Sequence, residues 1–136
     1  MKKTIVIAIA LCSLLLTSCS KDAEVNAFIT EFEATTKEIT SKIDANPTAA
    51  GVADAQKAFD AKKASLKAKW DAIKDAVGFQ VSADTKKKLE DSVTKSMKEL
   101  VDVSTKNAMK LAQDGDAATK FQALMKDYQT VFSMGK

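Results

Sequence analysis

The side chains that most often carry out catalysis or bind metals are scarce in this chain. It has no histidine, and its two cysteines, Cys12 and Cys19, both lie near the N-terminus. The usual general base is therefore missing, and no thiol is expected to be left as a nucleophile. Ser92 and Lys95 stand in the S-x-x-K spacing in which a lysine activates a serine nucleophile. They lie in the middle of a predicted helix without the partner motifs, so we expect no enzymatic activity.

Paired carboxylates are the other candidates for chemistry. Asp71 and Asp75 share a helix face, as do Glu99 and Asp102. Lysines stand beside both pairs, which favours solvated ion pairs over a cation site. The Asp-Gly-Asp sequence at 114–116 lacks the remaining ligands of an EF-hand loop. We therefore predict no metal ion and no other cofactor.

The first 19 residues have a more informative pattern. Lys2 and Lys3 precede an apolar run of about a dozen residues, whereas a membrane-spanning helix needs about 20. A charged start, a short apolar run and small residues after it are typical of an export signal. The run ends in Leu16-Thr17-Ser18-Cys19.

This ending resembles the lipobox of bacterial lipoproteins, in which an apolar residue and two small ones precede an invariant cysteine. The resemblance covers residues 1–20. It implies that residues 1–18 are removed, that the Cys19 thiol is diacylated and that the new amine is often acylated too. Two or more acyl chains give stable anchoring, at ~0.8 kcal/mol per buried CH₂. Ser20 after the cysteine favours the outer membrane in enteric-type sorting, with the domain facing the periplasm or the surface.

Composition bounds what the remaining chain can do. All 21 basic residues are lysines, and without Lys2 and Lys3 the other 19 face 18 acidic residues. This near balance is not the footprint of a nucleic-acid-binding protein. Once Cys12 is removed and Cys19 is acylated, no cysteine remains for a disulfide. The fold must therefore be stabilised by packing alone.

The breakers divide the chain into four helical stretches. Asn46-Pro47, Gly78 and Gly115 separate segments whose apolar residues recur at steps of three, four and seven. We predict an all-α fold, an antiparallel bundle of about four amphipathic helices, with three as the alternative. A linker at 19–24 precedes one domain at 25–136. The aromatic residues expected in its core are Phe28, Phe32, Phe59, Trp70, Phe121, Tyr128 and Phe132.

Local signals also predict where the helices begin and end. Asn46 is expected to cap the second helix with Pro47 at its first position, and Gly78 to end it in a left-handed conformation. Ser82 and Asp116 are expected to cap the third and fourth helices. Phe79 lies beyond the second apolar stripe, and two placements stay open for it, packing on the loop or entering a membrane interface.

Six lysines form a candidate surface for an anionic partner. Lys63, Lys67 and Lys74 can align on one side of the second helix, and Lys86, Lys87 and Lys88 open the third. Such clusters contact anionic lipid headgroups or lipopolysaccharide in other proteins. Acidic residues interleave with them, so an ordinary solvated face is the alternative.

Together these patterns predict a non-enzymatic structural or interaction module at the cell envelope, attached to the membrane by N-terminal acyl chains. A protein partner in the envelope is compatible with this role. The alternatives are a carrier or sensor of a hydrophobic ligand held between the helices, and an inhibitor or adaptor that docks on an envelope protein.

Overall fold

The computed structural model describes residues 20–132, and this part of the chain is an all-α bundle without a β-strand. The predicted fold class is therefore confirmed. The four long helices are α1 (Asp22–Ala45), α2 (Ala49–Ile73), α3 (Ala83–Lys106) and α5 (Gly115–Gln129). The short helix α4 (Ala108–Gln113) precedes α5, and the 3₁₀ turn Thr130–Phe132 follows it.

Consecutive long helices run in opposite directions. α1 packs against both α2 and α3, and α2 packs against α1 and α5. At one end, which we call the N-terminal pole, the Ser82 amide donates to the Asp22 carboxylate at 2.9 Å. At the other end, the distal pole, Lys106 pairs with Asp44 at 2.7 Å. A 24-residue helix such as α1 separates the two poles by about 36 Å.

The boundary between α1 and α2 differs from the prediction. Asn46 ends α1, donating its backbone N–H to the Lys42 carbonyl, and α2 begins at Ala49 with Thr48 as its N-cap. Asn46 instead accepts from Thr48, through its carbonyl from the Thr48 amide at 2.8 Å and through its side-chain oxygen from the Thr48 hydroxyl at 2.9 Å. Thr48 has extended dihedrals, and its hydroxyl accepts from the Gly51 amide at 3.5 Å.

The end of α2 also differs. The helix stops at Ile73, and the chain crosses to α3 through tight turns over residues 74–82. No glycine among the described residues has a positive φ, so the predicted left-handed cap at Gly78 is wrong. The predicted cap at Ser82 is confirmed, since its hydroxyl accepts from the Thr85 amide at 3.3 Å.

The third predicted helix is divided into α3 and α4 at Asn107. The Asn107 side chain is buried and donates to the Val103 carbonyl at 3.0 Å and to Asp44 on α1 at 3.2 Å. Asp114 rather than Asp116 caps α5, accepting from the Ala117 amide at 3.3 Å. At both boundaries the residue also contacts a distant part of the chain, Asp44 for Asn107 and Ala49 for Asp114.

The core includes buried residues of α3, and its aromatic part lies between α1, α2 and α5. Phe28 and Phe32 of α1 contact Trp70 of α2, Tyr128 of α5 and Phe132 of the 3₁₀ turn, with ring centroids 5.0 to 5.9 Å apart in the pairs that involve Phe132. Phe59 is also fully buried, and Phe121 packs half-buried against the core. The seven aromatic residues predicted for the core all lie in or against it.

No helix among residues 20–132 is long and apolar enough to cross a membrane.

Candidate functional site

The predicted lipidation site, Cys19, and the signal at residues 1–18 lie outside the described residues. The chain enters the bundle at Ser20, and α1 begins at Asp22, earlier than the predicted domain start at Val25. The stretch between Cys19 and the first helix is therefore only Ser20 and Lys21, shorter than the predicted linker of 19–24.

The start of the chain is fastened to the turn between α2 and α3. The Lys21 amide donates to the Gln80 carbonyl at 2.9 Å, and the Asp22 carboxylate accepts from the Ser82 amide. The hydrogen bond from Ser82 lowers the pKa of the Asp22 carboxyl below its ordinary value. The turn at 74–82 thus lies directly beside the point where the chain enters the bundle, two residues after Cys19.

Phe79 lies in this turn with its ring exposed. Its side chain is 76% exposed, whereas Phe28, Phe32 and Phe59 are fully buried. Val101 and Met109 are the other large apolar side chains that are strongly exposed in residues 20–132, and Met109 lies near the distal pole. Phe79 is therefore the one aromatic side chain of the described bundle that contributes little to its core.

Three of the six predicted lysines, two on α2 and Lys74 at the start of the 74–82 turn, are held by acidic partners. Lys67 and Lys74 both contact Asp71, at 3.2 Å and 2.9 Å. These bonds lower the pKa of Asp71 and raise the pKa of Lys74. Lys63 pairs with Asp127 of α5 at 3.1 Å and lies over the Phe59 ring. The charge of this lysine row is therefore largely balanced within the fold.

The other three lysines lie at the N-terminal pole. Lys86 donates to the Gly78 carbonyl at 2.9 Å, and Lys87 pairs with Asp91 at 2.9 Å. Lys88 is exposed, and neither it nor Lys86 forms an ion pair with any residue from 20 to 132. The predicted six-lysine surface is thus divided, with Lys63 about 15 Å along α2 from the turn.

The S-x-x-K residues do not form a catalytic pair. Ser92 is 3% exposed and faces the interior, where its hydroxyl has no hydrogen-bond partner in the described part of the chain. Lys95 is exposed and lines a surface groove of ≈ 480 Å³ between α1 and α3. Lysines and acidic residues alternate around this groove, so it presents no single sign of charge to a ligand.

Two of the acidic residues considered for a metal site have structural roles. Asp71 binds the two lysines described above, and Asp114 accepts from the Ala49 amide at 2.8 Å as well as from Ala117. No group of three or more His, Cys, Asp or Glu side chains within 20–132 is placed to hold a metal ion.

A buried cluster of hydroxyl groups was missed by the sequence analysis. Tyr128 is fully buried, and its hydroxyl bonds with Thr36 of α1 and contacts Ser96 of α3. Burial raises the pKa of the Tyr128 hydroxyl, so the group stays protonated and is unsuited to act as a base. Val93 and Met97, the apolar neighbours of Ser92 and Ser96 on α3, are only half-buried.

Comparison with known proteins gives no relative from which a role could be transferred: no protein-family model, no curated protein and no solved structure matches this chain.

Proposed function

We propose that this chain is the precursor of a bacterial lipoprotein whose helical domain is a non-enzymatic structural or interaction module at the cell envelope. The observation that carries the proposal is the sequence Leu16-Thr17-Ser18-Cys19, placed immediately before the first helix of a bundle. Acyl chains on Cys19 would bind the mature protein to the membrane, and Ser20 favours the outer membrane.

The short connection to the bundle supports a domain that stays close to the lipid surface. From Cys19 to Lys21 the chain can span at most about 7 Å. Because Lys21 is bonded to Gln80, the N-terminal pole would lie at the membrane, with the distal pole about 36 Å away from it. Asp44, Met109 and Asp114 would then face the aqueous compartment and any partner in it.

The placement of the reactive groups supports a role without catalysis. The Ser92 hydroxyl is buried, the Lys95 amine is exposed, and the Tyr128 hydroxyl is held protonated by burial. The aromatic rings that a hydrophobic ligand would need to line its cavity contact one another instead. Carriage of a ligand would require these rings to separate, so the interaction module is the better-supported function.

A mass spectrum of the protein extracted from membranes tests the proposal. We expect the wild-type chain to begin at residue 19 with the added mass of acyl chains and the Cys19→Ala variant to lose that mass. Cys12→Ala is the matched control, because it removes the other cysteine from the same segment and should leave processing unchanged. A wild-type chain without acyl mass, cut at another position, would refute the proposal.

Separation of inner and outer membranes tests the predicted location. We expect the acylated protein in the outer-membrane fraction and a Ser20→Asp variant in the inner-membrane fraction. An acylated wild-type chain found in the inner membrane would refute the outer-membrane assignment while leaving the anchor intact.

A further inference from the structure

The turn at residues 74–82 presents an aromatic ring to solvent from a backbone held by hydrogen bonds. The Phe79 and Gln80 amides donate to the Ala76 carbonyl at 3.1 Å and 2.8 Å. Lys86 donates to the Gly78 carbonyl, and Val81, only 8% exposed, packs into the core. The residues on both sides of Phe79 are thus already held in place. Binding through the Phe79 ring would therefore cost little additional conformational entropy of the backbone.

The position of the ring identifies the kind of surface that it meets. The Lys21 amide is bonded to Gln80, the residue after Phe79, and Lys21 is two residues from Cys19. If Cys19 carries acyl chains, Lys21 lies within about 7 Å of the attachment point along the chain, and the Gln80 carbonyl of the turn lies 2.9 Å from the Lys21 amide. A ring held at this distance reaches the headgroup layer, where aromatic side chains are enriched.

The charges around the ring are mixed, because Asp75 of the turn and Asp84 in the first turn of α3 are exposed near the lysines that open α3. Lys86 reaches the carbonyl of Gly78, the residue before Phe79, and Lys88 is exposed in the next turn of α3; neither has an ion pair in residues 20–132. Lys87 pairs only within α3, with Asp91. Each lysine close to a membrane adds attraction to anionic headgroups.

We propose that the turn at 74–82 and the first turns of α3 form a membrane-docking surface, in which Phe79 enters the bilayer interface and Lys86 and Lys88 face anionic headgroups. The inference rests on the proposed lipid anchor, and it adds that the bundle has one fixed orientation on the membrane. The occupant is the bilayer, because the exposed ring, the unpaired lysines and the incoming chain lie together at one pole. Acyl anchoring supplies the attachment, and docking supplies the orientation.

Tryptophan fluorescence measures how deeply this pole enters the membrane. Trp70 is the only tryptophan, so Trp70→Phe gives a background in which a new tryptophan reports alone. In that background we compare Phe79→Trp with Met109→Trp, whose positions are 76% and 78% exposed but lie toward opposite poles. The full chain, extracted from membranes, is reconstituted into phosphatidylcholine vesicles with or without phosphatidylglycerol, and with lipids brominated near the headgroup. Circular dichroism confirms that each variant is folded.

The two reporters should behave differently on vesicles. We expect the tryptophan at 79 to shift its emission to shorter wavelength and to be quenched by brominated lipid, and the tryptophan at 109 to do neither. Phosphatidylglycerol should increase the quenching at 79. Lys86→Gln combined with Lys88→Gln should abolish that increase, whereas Lys110→Gln at the distal pole should preserve it.

Flotation and the mass of residue 19, measured on the same samples, separate the two proposals. An acylated chain that floats with vesicles, but whose tryptophan at 79 is quenched no more than that at 109, refutes docking and leaves the anchor. An unacylated chain refutes the anchor. In that case docking survives only if the chain still floats and Phe79→Ser weakens its partitioning by roughly tenfold or more, the effect expected from losing a buried aromatic ring. If the unacylated chain does not float, or floats equally with Phe79→Ser, docking is refuted too.

Discussion

At the scale of single residues, Tyr128 makes the most unusual contribution to this bundle. It is the only tyrosine, its side chain is fully buried, and its hydroxyl joins α5 to Thr36 of α1. The Tyr128→Phe substitution removes this hydroxyl and should lower the free energy of unfolding by about 1 kcal/mol at neutral pH, the usual net value of a hydrogen bond. Urea unfolding followed by circular dichroism measures this, and Thr119→Val, at an exposed hydroxyl on α5, is the control.

The same residue should make the protein sensitive to alkali. Burial raises the pKa of Tyr128, so the folded state holds the proton more tightly than the unfolded state does. That contribution is complete below the unfolded pKa of about 10 and is lost as the pH rises above it, at up to about 1.4 kcal/mol per pH unit. We expect the wild type to lose stability above about pH 10 more steeply than Tyr128→Phe.

Two measurements check the alkaline prediction. Urea titrations at increasing pH compare the slopes, and titration of lysines cancels because both proteins contain the same set. The tyrosinate absorbance of the wild type should rise only as the protein unfolds. A tyrosinate signal that appears near pH 10 in a chain with full helical circular dichroism would contradict the prediction.

At the scale of helices, the start of α2 depends on a close approach between backbone atoms. A Cβ built on Gly51 would lie 1.8 Å from the Asn46 carbonyl oxygen, whereas one built on Gly115 meets nothing within 4 Å. Gly51→Ala should therefore cost about 1–3 kcal/mol as an overpacked site. Gly115→Ala should be neutral or stabilising by up to about 1 kcal/mol, because it restricts the unfolded chain. Equal effects in urea unfolding would contradict this account.

Asp114 joins the beginnings of two helices. Its carboxylate accepts from the Ala49 amide of α2 and from the Ala117 amide of α5. The bond from Ala49 is the main reason that the pKa of Asp114 is lowered. This contribution is present above the unfolded pKa of about 3.9 and is lost as the pH falls toward the folded value. Asp114→Asn should therefore lose less stability than the wild type below about pH 4.

Thermal unfolding from pH 6 to pH 2 tests this dependence. Asp116→Asn is the control, because Asp116 lies in the first turn of the same helix with its side chain exposed. We expect it to retain the acid sensitivity of the wild type. If Asp116→Asn and Asp114→Asn lose stability equally in acid, the carboxylate shared by the two helices is not the cause.

The helices also show which features of the fold could be predicted from the sequence and which could not. Apolar spacing predicted the class, the approximate helix count and the aromatic core, because burial imposes the helical period on the sequence. The cap at Ser82 was predictable because its partner, Thr85, is local. Asp114 and Asn107 were missed because their roles depend on Ala49 and Asp44, which are distant in sequence. Local signals could not choose among several residues able to cap a helix.

The candidate site likewise combines residues that the local sequence indicates with contacts that depend on distant parts of the chain. The sequence located Cys19 and the six lysines, but it could not show that Asp127 of α5 would meet Lys63, or that Lys21 would be bonded to Gln80. Both contacts are consequences of helix packing. The exposure of the Phe79 ring likewise became visible only in the folded turn, and its entry into a membrane interface stays a prediction.

At the scale of the whole molecule, the 3₁₀ turn closes the bundle by returning the chain to the aromatic cluster. Phe132 lies 5.0 Å from Phe32 and 5.2 Å from Trp70, measured between ring centroids. Phe132→Ala should therefore lower the free energy of unfolding by about 3 kcal/mol, the lower end of the range for buried phenylalanine. Phe79→Ala should change it by no more than about 0.5 kcal/mol, as at other exposed positions.

The comparison of these two variants separates folding from membrane contact. Both replace the same residue type, so differences in helix propensity and in side-chain volume are matched. Urea unfolding in the absence of lipid should distinguish them by about 2 kcal/mol or more. A large loss of stability in Phe79→Ala would mean that its ring serves the fold, and its exposure could then no longer be assigned to the membrane. A small loss, together with weakened docking, would mean that this aromatic ring is retained for contact with the membrane and not for the core.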